Sequence, residues 1–199
     1  MLEDRSAAVS VATAAWDDAD VQRLAAAQQA ELRARYDGGQ EPGTPPSAAD
    51  VAVVLVARDP AGEAVACGAL RPLEPGVAEV KRMYVVPEAR GRGISRQLLA
   101  ALEAAARERG WTTLRLETGP RQPEAVALYE GAGYRPIGAF GAYAAADAED
   151  SLFYERVLDP EQLLDAARFA RHAGPPAQPR RCGSPASSAV APWRHAGTS

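Results

Sequence analysis

The first half of the chain alternates between short apolar runs and polar turns, a pattern that predicts strands around one helix. Four runs have the length and the apolar, β-branched character of strands: 9–16, 51–58, 63–71 and 77–86. The turn sequence Asp59-Pro60-Ala61-Gly62 joins two of them and predicts a hairpin. Residues 19–36 fit a helix that begins after Asp17 or Asp18 and ends at Gly38-Gly39.

From residue 94 onward the pattern becomes that of an α/β domain. Residues 94–109 carry an apolar stripe at helical spacing, made of Ile94, Leu98, Ala101, Leu102 and Ala105. Pro123 fits the first turn of a second, short helix. Three further runs are predicted to be strands: 112–118, 134–138 and 151–158.

The chain length indicates one domain with an appendage. It has 199 residues, and a typical domain has roughly 150. We expect the domain to occupy residues 9–158, after a short lead at 1–8. Residues 159–172 allow one short helix, whereas 173–199 are rich in Pro, Ala and Arg and have little to bury. That composition predicts a disordered tail.

Histidine and cysteine usage excludes several kinds of catalytic chemistry. The two histidines, His172 and His195, both lie beyond the predicted domain. The domain therefore has no Ser-His-Asp triad, no Cys-His pair and no histidine-rich metal site, and we expect no metal ion. The two cysteines, Cys67 and Cys182, are too few for a metal cluster and do not indicate an oxidising compartment.

Charge and hydropathy indicate which kinds of binding partner the protein has. The net charge is −4; residues 159–199 contribute five arginines and three acidic residues, which leaves −6 for the rest of the chain. An acidic body disfavours binding to nucleic acid. No apolar run approaches the roughly 20 residues of a membrane-spanning helix, and the N-terminus lacks the features of a signal peptide. We therefore expect a cytoplasmic protein that binds neither membranes nor nucleic acid.

A glycine-rich segment between a predicted strand and a predicted helix is the most informative part of the sequence. It spans residues 85–96 and reads Val-Val-Pro-Glu-Ala-Arg-Gly-Arg-Gly-Ile-Ser-Arg. Glycines permit a tight turn, and the free N–H groups of a helix N-terminus converge on an anion, which indicates a phosphate or diphosphate cradle. The segment lacks the third glycine of a dinucleotide fingerprint and the Gly-Lys-Ser/Thr of a P-loop. The loop taken alone also fits a connector that binds nothing.

Two motifs, in order along the chain, give a resemblance to a known family. The first is Arg90-x-x-Gly93-x-Ser95, after a strand that bears Glu79. The second is Gln122-Pro-Glu-Ala-Val-Ala-Leu-Tyr-Glu-Gly-Ala-Gly-Tyr134, after the next strand. Over residues 9–158 the chain resembles the GNAT N-acetyltransferase superfamily, whose motifs are Arg/Gln-x-x-Gly-x-Gly/Ala and Asn-x-x-Ala-x-x-Leu-Tyr-x-x-x-Gly-Phe/Tyr. Ser95 and Gln122 depart from the family's preferred residues.

The resemblance implies both a fold and a cofactor. The implied α/β fold has a mixed, mostly antiparallel central sheet, with a splayed parallel pair (77–86 and 112–118) and flanking helices. The implied cofactor is acetyl-CoA, with its diphosphate on the N–H groups of residues 90–95 and its pantetheine arm along 83–85. A bulge in the strand 77–86 would direct one backbone N–H at the thioester oxygen. The implied cofactor-binding residues are Met83, Tyr84, Val85, Arg90, Gly91, Arg92, Gly93, Ile94, Ser95, Arg96 and Gln122.

The resemblance also implies an acid and a base. An alkyl amine must lose a proton before it attacks a thioester, which costs about 4 kcal/mol at pH 7. Glu79 is implied as the base, acting through water, and Tyr129 as the acid that protonates the departing thiolate. The residues alone leave two alternatives open. Glu79 could be a strand charge paired with Lys81 or Arg82, and Tyr129 could simply pack its helix on the sheet.

The acceptor side is less determined. Lys81 and Arg82 could bind the carboxylate of an amino-acid acceptor or form a surface ion pair, and Phe140 and Tyr143 could wall a small pocket. The chain is similar to a bacterial subgroup of small-molecule acetyltransferases, which implies N-acetylation of a small primary amine or amino acid. The alternatives are acetylation of a protein N-terminus or lysine, and a catalytically silent acyl-CoA-binding module. The resemblance is compatible with a homodimer, although nothing in the sequence requires one.

Overall fold

The computed structural model describes residues 9–38, 42–145 and 151–158. The predicted lead at 1–8, the short helix at 159–172 and the tail at 173–199 lie outside these residues. The described part has three α-helices: α1 (Ala19–Arg35), α2 (Ile94–Glu108) and α3 (Pro123–Gly131). Its seven strands are β1 (Ser10–Thr13), β2 (Val53–Arg58), β3 (Ala64–Glu74), β4 (Val77–Val85), β5 (Thr113–Thr118), β6 (Arg135–Ile137) and β7 (Leu152–Val157).

The seven strands form one mixed sheet in the order β1-β2-β3-β4-β5-β7-β6. Every neighbouring pair is antiparallel except β4 and β5, which run parallel. The predicted fold class, a mostly antiparallel mixed sheet with one parallel pair and flanking helices, is confirmed. Two strand bounds were wrong by more than two residues: β1 ends at Thr13 and not at residue 16, and β3 ends at Glu74 and not at residue 71.

Helix ends follow the local signals in the sequence. Of the two candidate caps, Asp18 begins α1: its carboxylate accepts hydrogen bonds from the N–H groups of Asp20 (2.9 Å) and Val21 (3.3 Å). Gly38, at φ 85°, follows the end of α1 and donates its N–H to the carbonyl of Arg33. Gly93 is the residue before α2 and has a left-handed backbone, φ 77°.

Strand β2 explains how the helices cover the sheet. Its residues Val53, Leu55 and Ala57 pack in the same apolar cluster as Leu98 and Leu102 of α2. The alternate residues Val54 and Val56 pack in a second cluster with Val21 and Leu24 of α1. Successive side chains of a strand point to opposite faces, so α1 and α2 cover opposite faces of the sheet. This is why β2 is a continuous apolar run and not an alternating one.

The centre of the sheet opens between its two parallel strands. Pairing of β4 with β5 covers only Val77 to Glu79 opposite Thr113 to Arg115, although β4 continues to Val85. The predicted bulge is present in β4. Two residues, Arg82 and Met83, lie opposite the single residue Gly68 of β3, and Arg82 has a left-handed φ of 56°. The strands therefore leave room between them beyond Glu79.

Candidate active site

The glycine-rich loop ends in a set of unused hydrogen-bond donors. Gly91 and Gly93 have φ values of 75° and 77°, which glycine adopts without strain. Among the described residues, none accepts a hydrogen bond from the backbone N–H of Gly91, Arg92, Gly93, Ile94 or Ser95. Five consecutive donors at the start of a 15-residue helix, together with the positive end of its dipole, form a site suited to an anion.

These donors border a cleft of about 220 Å³ between α1, the end of β4, the start of α2 and α3. Nine of the eleven residues predicted to bind the cofactor line it: Met83, Tyr84, Val85, Arg90, Gly91, Gly93, Ile94, Ser95 and Gln122. The other two do not. Arg92 turns away and donates to the carbonyl of Glu88 (2.9 Å), and Arg96 is exposed on α2. The structure therefore gathers the loop, the strand end and the start of α3 around one space.

Helix α1 supplies one wall of this cleft, through residues that were not singled out in the sequence. Gln28, Glu31, Leu32 and Arg35 all line the cleft. They are spaced three or four residues apart, so they share one face of the helix. Gln28 donates its side-chain N–H to the carbonyl of Met83 (2.9 Å), which fastens α1 to the bulged strand. A polar stripe at helical spacing was the signal in the sequence that could have identified this wall.

Tyr129 lies in the cleft wall contributed by α3. Its side chain is 6% exposed, and its ring meets that of Tyr134 edge to face at 5.6 Å. The Tyr129 hydroxyl has no hydrogen-bond partner among the described residues. Burial, and secondarily the negative charge of Glu117, raises the pKa of Tyr129 well above its usual range. The phenol therefore stays protonated at neutral pH and has a proton to donate.

Glu79 lies in a closed ion-pair cluster and does not line the cleft. Its side chain is fully buried, and Arg71 donates to its Oε2 through Nε (3.1 Å) and Nη2 (2.6 Å). Tyr143 donates its hydroxyl to Oε1 (2.7 Å). Lys81 donates to the same hydroxyl (2.8 Å), and its Nζ is 3.6 Å from Oε1. Both oxygens of the carboxylate are therefore occupied by donors from the protein.

Arg71, which the sequence analysis did not single out, ties a distant loop to this cluster. Its Nη1 donates to the carbonyl of Thr44 (2.9 Å) and to Asp50 (3.3 Å). In the same region a Cβ at Gly43 would be 2.6 Å from the ring of Tyr143. The loop before β2 and the 3₁₀ turn Gly141–Ala145 are therefore both packed against the sheet around Glu79.

The four residues predicted to bind the acceptor occupy different surroundings. Lys81 and Tyr143 belong to the cluster around Glu79, and Arg82 forms the bulge of β4. Phe140 packs edge to face against Tyr143 (5.3 Å) and Phe153 (5.7 Å) and is 7% exposed. None of the four lines the described cleft.

Two further properties of the described residues bear on the kind of site. Among residues 9–38, 42–145 and 151–158, no group of three or more His, Cys, Asp or Glu side chains is arranged to hold a metal ion. In the same ranges, no helix combines the length and the apolar character needed to cross a membrane.

Comparison with known proteins identifies the family. The Acetyltransferase (GNAT) family profile matches residues 14–134. An IAA acetyltransferase from Azospirillum brasilense is 46% identical over 105 residues, which are 52% of this chain and 67% of the relative. This chain therefore belongs to the GNAT family of acetyltransferases.

Solved structures agree with that membership. A Klebsiella pneumoniae protein described as an acyl-CoA N-acyltransferase is 39% identical, with a TM-score of 0.66, and the match covers 77% of this chain and 99% of that one. A Bacillus subtilis acetyltransferase in complex with CoA is 14% identical with a TM-score of 0.57, covering 76% and 100% of the two chains, and supports the fold alone. The chain is an N-acetyltransferase of the GNAT type, with acetyl-CoA as the acyl donor.

The residues of the cleft fit that cofactor. In coenzyme A a diphosphate joins the nucleotide to the pantetheine arm, which consists mainly of amide and alkyl groups. The cleft offers five unused backbone donors at the helix start, and apolar and backbone surface from Met83 and Leu128 farther along. The helix start matches the anion, and the bulged strand end matches the arm.

Proposed function

We propose that this enzyme acetylates a small primary amine or an amino acid, and not a protein. The observation that carries this proposal is the packing of two described segments, residues 43–50 and Gly141–Ala145, around Glu79. Arg71 fastens the loop before β2 through Thr44 and Asp50, and Tyr143 fastens the 3₁₀ turn through Glu79. A polypeptide acceptor would need an open groove where β4 separates from β5, just beyond Glu79 and next to the bulge of β4. Because these two segments pack against the sheet around Glu79, we favour a small-molecule acceptor over a polypeptide.

Cofactor binding is assigned to β4 and to the backbone N–H groups of residues 91–95, which we call the cradle. Coenzyme A, when bound, supplies the activated acetyl group as a thioester. The N–H groups of residues 91–95 hold its diphosphate, and the strand end from Met83 to Val85 orients its arm. The hydrogen bond from Gln28 to the Met83 carbonyl holds α1 against β4. It therefore fixes the position of α1, the wall of the cleft opposite the cradle. The bulge at Arg82 takes the backbone of β4 out of the regular ladder, and an N–H group of this segment would stabilise the thioester oxygen.

The cradle makes the first prediction. Gly93→Ala should weaken binding of coenzyme A about five- to tenfold. The free loop of the variant relaxes away from the left-handed φ of 77°, and binding must restore that conformation at a cost on the order of 1 kcal/mol or more. No atom lies within 4 Å of the added Cβ, so crowding adds nothing to that cost. Isothermal titration calorimetry measures the change.

Gly138→Ala is the matched control for this change. Gly138 also has open space around its Cβ position, and its φ does not lie in the left-handed range. Its substitution should leave the affinity for coenzyme A within a factor of two. Equal binding by both variants and the unchanged protein would remove the cradle from the cofactor site.

Tyr129 is assigned as the general acid. It lines the cleft, its phenol is protonated at neutral pH, and its hydroxyl has no partner among the described residues. A free, buried donor next to a departing thiolate lowers the cost of forming that charge. Tyr129 therefore holds the proton that coenzyme A needs as it leaves.

Glu79 is reassigned from general base to a structural role. A base must reach the amine directly or through one water, and this carboxylate is 0% exposed with both oxygens bonded to protein donors. Its proton-accepting positions are turned toward Arg71 and Tyr143. The amine then reacts as the neutral form present in solution.

A dependence on pH follows from this assignment. With a neutral amine as the reacting species and no internal base, kcat/KM for the total amine should rise about tenfold per pH unit from pH 6 to pH 9. It should level off near the pKa of the acceptor. Steady-state rates with amines of different pKa measure this. A plateau at the same pH for every amine would restore an internal base.

Release of free coenzyme A thiol from acetyl-CoA, across a panel of amines, amino acids and peptides, tests the substrate class. We expect release with small primary amines or amino acids and none with peptide N-termini or lysines. Release with peptides alone would overturn the small-acceptor proposal. Tight binding of coenzyme A without release on any acceptor would indicate a silent binding module.

A further inference from the structure

The cofactor cleft carries a negative charge of its own. Glu31 of α1 lines the cleft, and one oxygen of its carboxylate is 2.6 Å from Nη2 of Arg90. The other oxygen is 2.7 Å from Nη2 of Arg35. Arg90 is the arginine of the cradle motif, and Arg35 also lines the cleft. Both guanidinium groups that face this space are therefore bound to the same carboxylate.

The two ion pairs belong to a charged chain across the cleft wall. Arg35 also pairs with Glu124 of α3 at 2.5 Å, so the order is Arg90, Glu31, Arg35, Glu124. The Arg90 and Glu31 side chains are 37% and 27% exposed, so the pair is reachable by solutes. The hydrogen bond from Arg90 lowers the pKa of Glu31, so the carboxylate is charged at neutral pH.

A carboxylate in this position opposes the binding of a second anion. Coenzyme A has a diphosphate and a further phosphate, and a phosphate oxygen makes the same fork-shaped contact with a guanidinium as a carboxylate does. While Glu31 holds Arg90, a cofactor phosphate near the cradle meets a neutralised arginine and a nearby negative charge. It must displace the carboxylate or bind without the guanidinium.

We propose that Glu31 sets the affinity of the enzyme for its cofactor by competing with the cofactor's phosphates for Arg90. This inference rests on the proposed placement of coenzyme A in the cleft. An ordinary binding residue raises the affinity for its ligand, whereas the carboxylate of Glu31 lowers the affinity for the cofactor and speeds its release. The effect depends on the phosphates, so it discriminates between acetyl-CoA and a thioester of pantetheine, which lacks them.

The test is to measure binding of coenzyme A and of pantetheine to the full chain and to Glu31→Gln by calorimetry. The variant keeps the shape of the side chain and removes its charge. Its Kd for coenzyme A should fall about three- to tenfold, in line with the loss of one competing, partly exposed ion pair. Its Kd for pantetheine should stay within a factor of two.

Glu88→Gln is the matched control. Glu88 is an exposed acidic residue in the same loop, and only its backbone carbonyl contacts an arginine. If the gain in Glu31→Gln reflects competition for Arg90, the control should change the Kd by less than a factor of two. The gain should also vanish when Arg90→Gln is added to Glu31→Gln.

The outcomes separate this inference from the proposed function. An unchanged or higher Kd in Glu31→Gln would overturn it, as would an equal gain in Glu88→Gln. If the unaltered protein fails to bind coenzyme A at all, the proposed cofactor site is wrong. If that protein binds and Glu31→Gln does not bind more tightly, only the role of Glu31 is wrong. Thermal unfolding of each variant verifies that it is folded.

Discussion

Replacing Tyr129 by phenylalanine should reduce kcat about a hundredfold or more and leave the affinity for acetyl-CoA nearly unchanged. The substitution removes only the hydroxyl and keeps the ring that packs against Tyr134. Without that proton donor, the thiolate leaves unprotonated, and general acid catalysis of this kind typically contributes 10²- to 10⁴-fold. Steady-state rates of thiol release give kcat, and calorimetry gives the affinity.

Tyr134→Phe is the matched control for this prediction. Tyr134 is also a buried tyrosine, and its hydroxyl has no hydrogen-bond partner among the described residues. It touches the Tyr129 ring but does not line the cleft. Its loss should leave kcat within about twofold and stability unchanged or higher, because an unsatisfied buried hydroxyl is removed. Full turnover in Tyr129→Phe would contradict the assignment.

Replacing Arg71 by methionine should lower the free energy of unfolding by about 3–5 kcal/mol. Glu79 would then be a fully buried carboxylate without its guanidinium partner, the costliest way to break a buried ion pair. The contacts of Arg71 with Thr44 and Asp50 are lost as well. Urea unfolding, followed by tryptophan fluorescence, measures the change. The double variant Arg71→Met with Glu79→Gln should recover part of it, because the buried carboxylate no longer carries a charge.

A partly exposed arginine on β5 provides the comparison. Arg115 pairs with Glu74 (2.9 Å) and Glu155 (2.7 Å), and its side chain is 26% exposed. Arg115→Met should cost about 1 kcal/mol or less, as is usual for ion pairs in contact with water. If Arg71→Met lowers the free energy of unfolding no more than Arg115→Met does, the cluster around Glu79 does not stabilise the fold. The prediction that Glu79 is the general base would then be favoured again.

Local signals in the sequence predicted most of the fold. Asp18, Pro123 and the glycines at 38 and 93 mark helix ends by the conformations they adopt, which neighbouring residues determine. The apolar run 51–58 predicted a strand, which the structure has at Val53–Arg58. The end of β3 was missed because Pro72, Pro75 and Gly76 favour turns, and pairing with β4 overrides that local preference as far as Glu74.

The cradle loop was predicted as a site for the same reason, since its glycines and helix start are contiguous. The sequence did not predict which distant side chains form ion pairs or hydrogen bonds at the site. Arg90 meets Glu31, 59 residues earlier, and Tyr143 meets Glu79, 64 residues earlier. A single sequence contains no local signal for such contacts. The prediction of Glu79 as a base therefore could not take into account the donors from distant segments that occupy both of its oxygens.

The sequence by itself determined the element types, most of the helix ends, the glycine turn before α2 and the resemblance to the family. These depend on residues within a few positions of one another, whose conformational preferences act over one turn or one strand. Only the tertiary structure decided which charges are paired, which carboxylate is closed off and which helix face borders the cleft. Those properties arise when packing brings distant segments together and removes water between them, and burial then fixes which charges require a partner.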